Sequence, residues 1–533
     1  INNIMAGGLM QLVAYGSQDL YLTGNPQITF FKSIYRRYTN FSMEYIPQYF
    51  RVLPTFSTTQ VNTLTVKIDR NADLIHDCYV VVDLPNIYST ADEKFQWIEN
   101  VGQNIIQSAE ITVNGVQLDI QYSQWMNVWA QLTIDRSKRR SYDEITGNIW
   151  QMQFPEKYYG DYSTTTRPTI AGRRLYVPLF FWFCTNPGLS IPLIALQYTD
   201  IYINIQFAPL NTLFTMWYGL SPETLYDFGK FGNTPTAGIP NFDSELLQAI
   251  QDAKTPPLVN ITASDLVNSL EAEGYGPTSY FWKFVNGTQA PNGVWTQNSY
   301  LFVNYIYLDE DERRRFAQTS HEYLMTQVQT YEFGGIDGNQ TIELKMNQPV
   351  KELIFTTQRT DVNILNQWNN YTNCLYLHSL YDVSFAKNAN YFRMERMLID
   401  NGIDSCLPDA QQQFSNNQQY NIDNQNILYT AKLILNSNDR FDLRDSIFFN
   451  AMEPYKYHTN SPDEGIYVYN FGLNPEDFQP SGTCNFSRIN RAQLQMNMRQ
   501  VVNTDIEYNV IVYARNINVF RIMAGIGNVV FAN

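Results

Sequence analysis

Apolar and polar residues alternate in short runs along most of the chain, the period of half-buried strands. In Val61 to Ile68, VNTLTVKI, the alternation predicts a strand with Val, Leu, Val and Ile on one face. Cys78 to Leu84, CYVVVDL, is a continuous β-branched run ending at Pro85 and predicts a more deeply buried strand. Between Glu110 and Ile120, two alternating runs flank Asn114-Gly115, a pair that takes the positive φ values of a type I′ hairpin turn. Tyr122 to Leu132 changes period: Trp125, Val128, Trp129 and Leu132 predict a short helix laid on a sheet by its aromatic side.

Leu175 to Phe207 predicts at least two core strands around a loop at Asn186-Pro187-Gly188. The pattern lapses from Ala208 to Asn298, which reads as a surface insertion, with a hint of helix only at Ser244 to Ile250. It returns as a strand at Tyr300 to Leu308, followed by Asp309-Glu310-Asp311-Glu312 and Arg313-Arg314-Arg315. Acidic before basic residues suit a helix dipole, and Asp309 with Glu312 has capping-box spacing, so this run predicts a helical connector.

The second half repeats the first. TIELKM at Thr341 corresponds to LTVKI, VKELIF at Val350 to the run around CYV, and a turn at Asn438-Asp439 to Asn114-Gly115. Pro480-Ser481-Gly482 then falls where Pro187-Gly188 fell, and Ile506 to Val512 with Asn518 to Ile522 stand at the position of YLFVNYIYL. Landmarks in the same order argue for tandem duplication. The fold expected is all-β: two tandem jelly rolls, each of roughly eight antiparallel strands, with long loop insertions and a few short helices. The expected division is an arm over 1–26, jelly roll 1 over 27–310 with an insertion at about 208–298, a connector over 311–325, and jelly roll 2 over 326–533 with an insertion at about 356–426. The arm is small and apolar up to Tyr15, and Gly24-Asn25-Pro26 supply the φ freedom and the fixed φ of a reversal, so the body is expected to begin near Gln27.

Composition supports strands over helical bundles: 15% of the residues are aromatic and only 16% charged. A net charge of −15 argues against a nucleic-acid surface, and Lys138-Arg139-Arg140 reads as a solvated run. Cys78, Cys184, Cys374, Cys406 and Cys484 form no CxxC pair, which fits a reducing compartment without zinc or a disulfide framework. No secretory signal opens the sequence, and the longest apolar run, Leu175 to Cys184, is too short for a membrane helix, so a soluble protein is expected. The phrase MAGGL suggests Met5 as the natural start.

Little chemistry emerges. His76, His321, His378 and His458 have no metal-ligand spacing, and no phosphate loop, dinucleotide fingerprint or nucleophile elbow is present, so no catalytic residue, metal site or cofactor is expected. Asp505 with Glu507 is the one carboxylate pair that could mimic a glycosidase. Sequons occur at Asn40, Asn260, Asn286, Asn339, Asn370 and Asn485; those in the insertions, Asn260, Asn286 and Asn370, are the accessible candidates for glycosylation.

Several phrases carry a resemblance. The opening MAGGLMQLVAYGSQDLYLTGNPQITFFKSIYRRYTNF, NPGL at Asn186, LIALQY at Leu193, DERRRFAQTSHEYL at Asp311, PVKELI at Pro349, QPSGTCNFSRI at Gln479 and NVFRIMAGIG at Asn518 resemble the major capsid proteins of large icosahedral DNA viruses of algae and protists. The resemblance implies a double jelly roll, a homotrimer of pseudo-sixfold outline and a place in the virion shell, with assembly in the host cytoplasm. Its implied partners are itself, neighbouring capsomers, minor capsid and penton proteins and an internal membrane, with no direct contact to nucleic acid. The insertions would face outward and the arm inward. The alternative is a β-sandwich carbohydrate-binding protein or glycosidase.

Overall fold

The computed structural model describes residues 7–57, 60–88, 93–153, 168–218, 261–262, 294–296, 299–336, 338–360, 362, 366–372, 426–499 and 507–531. It divides into two compact units, Ile1–Phe41 and Ser42–Asn533. In the first, helices α1 (Gly7–Val13) and α2 (Asp19–Thr23) are followed by an extended stretch without strands. Both helices are shorter than an isolated helix needs to be stable in water, and their apolar side chains are exposed. At the turn it is Asn25, with φ 53°, and not Gly24 that takes the left-handed conformation. Gly24 is required for a different reason: its N–H closes α2 on the Leu20 carbonyl, and a Cβ there would collide with that same oxygen. The first unit runs on to Phe41, so the turn lies inside it and the body begins later than Gln27.

Among the described residues of the second unit, sixteen strands form two sets of eight, beside further short ones. The first set is β1 (Phe41–Tyr49), β2 (Asn62–Lys67), β3 (Leu74–Leu84), β4 (Ile106–Val113), β5 (Val116–Tyr122), β6 (Arg173–Pro178), β7 (Ile201–Phe207) and β8 (Tyr300–Leu308). The second is β9 (His321–Ile336), β10 (Asn339–Leu344), β11 (Pro349–Arg359), β12 (Leu428–Leu435), β13 (Asn438–Asp439), β14 (Ile466–Asn470), β15 (Ala492–Met498) and β16 (Tyr508–Met523). The first set pairs in the orders β1-β8-β3-β6 and β2-β7-β4-β5, the second in the orders β9-β16-β11-β14 and β10-β15-β12-β13. Every strand of the second set thus occupies the place of the strand eight earlier. The match extends to the short strands Ile191–Pro192, paired to β3, and Cys484–Asn485, paired to β11. This is a double jelly roll.

Alternation builds each core. Leu64, Val66, Ile111, Val113, Ile203, Ile205, Leu301 and Val303 turn inward in the first sandwich, as do Leu353, Phe355, Leu433, Leu494, Met496, Val510 and Val512 in the second. Burying each such side chain contributes about 1.5 to 3 kcal/mol. Val61 lies outside β2 and is exposed, since its spacing from Leu64 is odd. Asn114 and Gly115, at φ 53° and 75°, form the expected turn between β4 and β5.

Other expectations shift. The turn in the second sandwich is Asn436-Ser437, at φ 49° and 67°, because Leu435 pairs with Asn438 and so leaves those two residues as the loop. The last strand is one continuous β16 where two segments were expected. Asn516 and Asn518 interrupt its apolar run without ending it, since Gln327 accepts from both side-chain amides. The connector is the helix Glu310–Gln318, and β9 already begins at His321, inside the span 311–325.

Four further helices matter: α3 (Ser123–Thr133), α4 (Trp182–Thr185), α5 (Glu310–Gln318) and α6 (Glu453–Tyr457), the last preceded by a π-helical turn, Phe448–Met452. The capping box at α5 does not form; Asp309 caps only through its carbonyl, which accepts from the Arg313 N–H. Arg313 instead reaches Asp73 at 2.9 Å and ties the connector to the start of β3. The insertions also begin later than expected. Phe214–Tyr218 pairs with Glu93–Trp97, and Thr356 to Arg359 belong to β11. Asn366 and Trp368 donate to the Phe214 and Thr212 carbonyls, so the entry to the second insertion rests on the first sandwich. The predicted helix at Ser244 to Ile250 lies outside the described residues.

Candidate functional site: the seam between the sandwiches

Helix α3 follows β5 of the first sandwich but buries its apolar side on the second. Trp125, Val128, Trp129 and Leu132 pack with Ile354 of β11, Ile466 and Val468 of β14, and Ile511 and Tyr513 of β16. These residues lie on the outer face of the β9-β16-β11-β14 sheet. Trp125 stacks on Trp129 with centroids 5.4 Å apart and tilts against Tyr513 at 5.2 Å. The second sandwich then caps the helix: the Asn460 N–H donates to the Leu132 carbonyl, its side-chain amide to the Gln131 carbonyl, and the Asp463 N–H to the Gln131 side chain. The loop that delivers these groups returns to β14 through Gly465, at φ 87°, where a side chain would run into the Tyr371 carbonyl.

Beside Trp129 lies a buried ionic cluster. The Arg515 guanidinium sits 4.0 Å above the Trp129 ring, 2.5 Å from Glu352, and donates to the Pro475 carbonyl. His458 stands 3.0 Å from Glu352 by one ring nitrogen and 3.0 Å from Glu476 by the other. Burial alone would raise the Glu352 pKa, but His458 and Arg515 outweigh it and hold the carboxyl at about 2. Burial would likewise lower His458, yet Glu352 and Glu476 raise it to about 9. Lys351, next to Glu352, donates to the Asp477 carbonyl; burial first, then Arg515, pushes it down to about 8. The cluster is therefore charged at neutral pH with its partners in place.

A second polar contact crosses the seam between β5 and β9. Asp119 accepts from the Val328 N–H and from the Gln121 side chain, while Gln327 donates to the Leu118 carbonyl. Burial raises Asp119 to about 7 against the hydrogen bonds and Arg515, which lower it. An apolar contact completes the seam, with Trp182 of α4 6.1 Å from Phe520 of β16.

The residues singled out from sequence fall elsewhere. Asn260, Asn286, Asp505, His378, Cys374 and Cys406 lie outside the described residues. Asn370, expected to be accessible, is 3% exposed; its amide donates to Gln367 and its carbonyl accepts from Thr372, so the folded chain withholds the nitrogen that a glycan would need. Glu507 is exposed just before β16. His76 pairs with the Phe183 carbonyl and His321 with the Phe316 carbonyl, both local structural roles. Cys78, Cys184 and Cys484 are free thiols. Among the described residues, no group of His, Cys, Asp and Glu is placed to hold a metal, and no helix is long and apolar enough to cross a membrane. Glu352, Arg515 and Asp119 went unnoticed as site residues, although charges set in the apolar phrases VKELIF and VIVYARN are a visible sign of buried pairing.

Two family models match the chain: one described as "Large eukaryotic DNA virus major capsid protein" over residues 312–528, and one described as "Major capsid protein N-terminus" over 29–227. The major capsid protein of Phaeocystis pouchetii virus is 35% identical, across 99% of this chain and 100% of that protein. The chain belongs to the major capsid proteins of large eukaryotic DNA viruses. The capsid protein of Paramecium bursaria Chlorella virus 1 is 30% identical over 99% of this chain and 100% of its own. A chain of the quasi-atomic model of the PBCV-1 virus capsid superimposes with a TM-score of 0.63 at 25% identity, covering 95% of this capsid protein and 100% of that chain. As a capsid protein it is a structural component of the virion and not an enzyme, which removes the carbohydrate-binding and glycosidase reading.

Proposed function

We propose that three copies of this capsid protein form a capsomer of pseudo-sixfold outline that tiles the icosahedral shell. The observation that carries this reading is the strand-for-strand repetition of the two sandwiches. Three chains with two like towers each present six similar edges to a hexagonal lattice, which a single sandwich could do only as a hexamer. Neighbouring capsomers and penton proteins are the lateral partners. The insertions, which begin after the strand Phe214–Tyr218 and after β11, stand on the outer surface, and Asn260 and Asn286 are the positions there for sugar. The arm reaches minor capsid proteins or an internal membrane beneath the shell; the support is that Leu9, Leu12, Leu22, Phe30, Phe31 and Ile34 are all exposed in it. Assembly takes place in the host cytoplasm, without a cofactor or direct contact to nucleic acid.

Light scattering on the purified chain tests the trimer. A mass about three times the 61.9 kDa of one chain is expected; a stable species of one chain mass at micromolar concentration overturns the reading. Deleting residues 5–26 is expected to leave the sandwiches folded while particle yield falls, and normal yield removes the arm from assembly.

A further inference from the structure

The seam inside one chain describes the seam between chains. In the first sandwich the helix after the fifth strand, α3, covers the outer face of the second sandwich's β9-β16-β11-β14 sheet. Topology supplies the counterpart of each half of this contact. The helix at the same place in the second sandwich is Phe448–Tyr457, and the sheet at the same place in the first is β1-β8-β3-β6.

Both counterparts lack a cover among the described residues. The helical segment buries Phe449, Glu453 and Pro454 against its own sandwich, but leaves Ile447, Met452 and Tyr455 exposed, Tyr455 by 86%. On the sheet, register fixes the equivalences. Leu74 and Ile75 bridge Pro192 and Ile191, as Pro349 and Val350 bridge Asn485 and Cys484. Counting from that anchor, Tyr79 stands where Ile354 stands. Its partner Phe302 then matches Tyr513, Tyr300 matches Ile511, and Tyr176 matches Ile466. The four residues of the second sandwich are buried under α3, whereas Tyr79, Tyr176, Tyr300 and Phe302 are half-buried and Tyr45 beside them is exposed. The rings form a continuous aromatic surface: Tyr45 stacks on Phe302 at 5.1 Å, Tyr300 lies 6.1 Å from Phe302 and Tyr176 6.3 Å from it. Charge agrees, since the helix carries exposed Lys456 and the sheet carries Asp77, which accepts from the Tyr45 hydroxyl.

We infer that the helical segment Phe448–Tyr457 of one copy docks on the Tyr45, Tyr79, Tyr176, Tyr300 and Phe302 face of the next copy, repeating between subunits the contact that α3 makes within one. The inference rests on the trimer reading and names its interface. Alternating the internal and external versions of one contact closes a ring of six sandwiches from three chains.

Two sets of variants test it. Met452→Cys combined with Phe302→Cys, treated with a short bismaleimide, is expected to give covalent species up to three chains, with neither single variant doing so above the background of the native cysteines. Met452→Asp with Tyr455→Asp, at positions that touch no core, is expected to weaken the trimer at least about a hundredfold while circular dichroism of the subunit is unchanged. A wild-type trimer with no pair-specific cross-link and an undisturbed Asp variant overturns this interface and leaves the trimer standing. A wild-type monomer overturns both.

Discussion

The two sandwiches share one topology and differ in what lies on the outer face of one sheet. In the second, Ile354, Ile466, Ile511 and Tyr513 disappear under α3, and an ionic cluster seals the edge of the contact. In the first, the equivalent positions carry tyrosine and phenylalanine and stay partly open. Aliphatic side chains suit permanent burial, whereas Tyr combines a large apolar ring with a hydroxyl that tolerates water, the chemistry favoured where a surface is open before association and closed after it. The difference marks one contact as part of folding and the other as part of assembly.

Opening the folded seam is expected to have the largest effect. Glu352→Ala leaves Arg515 and His458 buried without their shared carboxylate, and a loss of roughly 3 to 5 kcal/mol is expected in urea unfolding of the second sandwich. Trp129→Ala removes both the apolar anchor and the ring under Arg515, with a loss also of about 3 to 5 kcal/mol. A change below about 1 kcal/mol in either would show that the seam does not hold the sandwiches together.

Next comes pH. The His458 pKa rises from 6.5 to about 9 on folding, so its stabilisation is complete below 6.5 and is lost as pH climbs through 9. Asp119 is raised from 3.8 to about 7, so the folded state is favoured most below 3.8 and that advantage fades as pH rises through 7. Glu352 is lowered from 4.5 to about 2; its contribution is present above 4.5 and lost as pH falls through 2. Together these three groups place the firmest seam between about 3.8 and 4.5, with progressive weakening toward pH 9 that is steepest between about 6.5 and 7, where Asp119 and His458 both contribute. Thermal unfolding across this range checks the sign, and in His458→Gln the fall between 6.5 and 9 is expected to shrink.

A smaller effect sharpens the contrast between equivalent positions. In dissociated subunits Ile354→Ala is expected to cost about 2 to 5 kcal/mol, and the exposed Tyr45→Ala under about 1. Equal losses would mean that the first sandwich's face is already covered within one chain.

Much of the fold was legible because alternation is enforced by burial: the strands around Leu64, Val80, Ile111 and Leu353 announce themselves. The duplication was legible from ordered landmarks, though its exactness lies in pairing that no sequence displays. What stayed hidden depends on contacts between distant residues. Asn370 looked accessible because its neighbourhood is polar, but Gln367 and Thr372 fold that polarity inward. The break at Asn516 and Asn518 looked like a strand end because Gln327, the group that satisfies it, comes from another strand. The amphipathic period of α3 showed that it would cover a sheet, but not that the sheet belongs to the other sandwich. Asp119 lies between apolar neighbours Leu118 and Ile120, and nothing in that local pattern shows that β9 of the other sandwich packs over it.

One contact is used twice, within the chain and between chains. A cryo-electron microscopy map of the assembled capsomer tests it most directly. Six sandwiches in a ring are expected, with density for Phe448–Tyr457 of each chain lying on the Tyr79 and Phe302 face of its neighbour. A capsomer in which that aromatic face is open to solvent would contradict it.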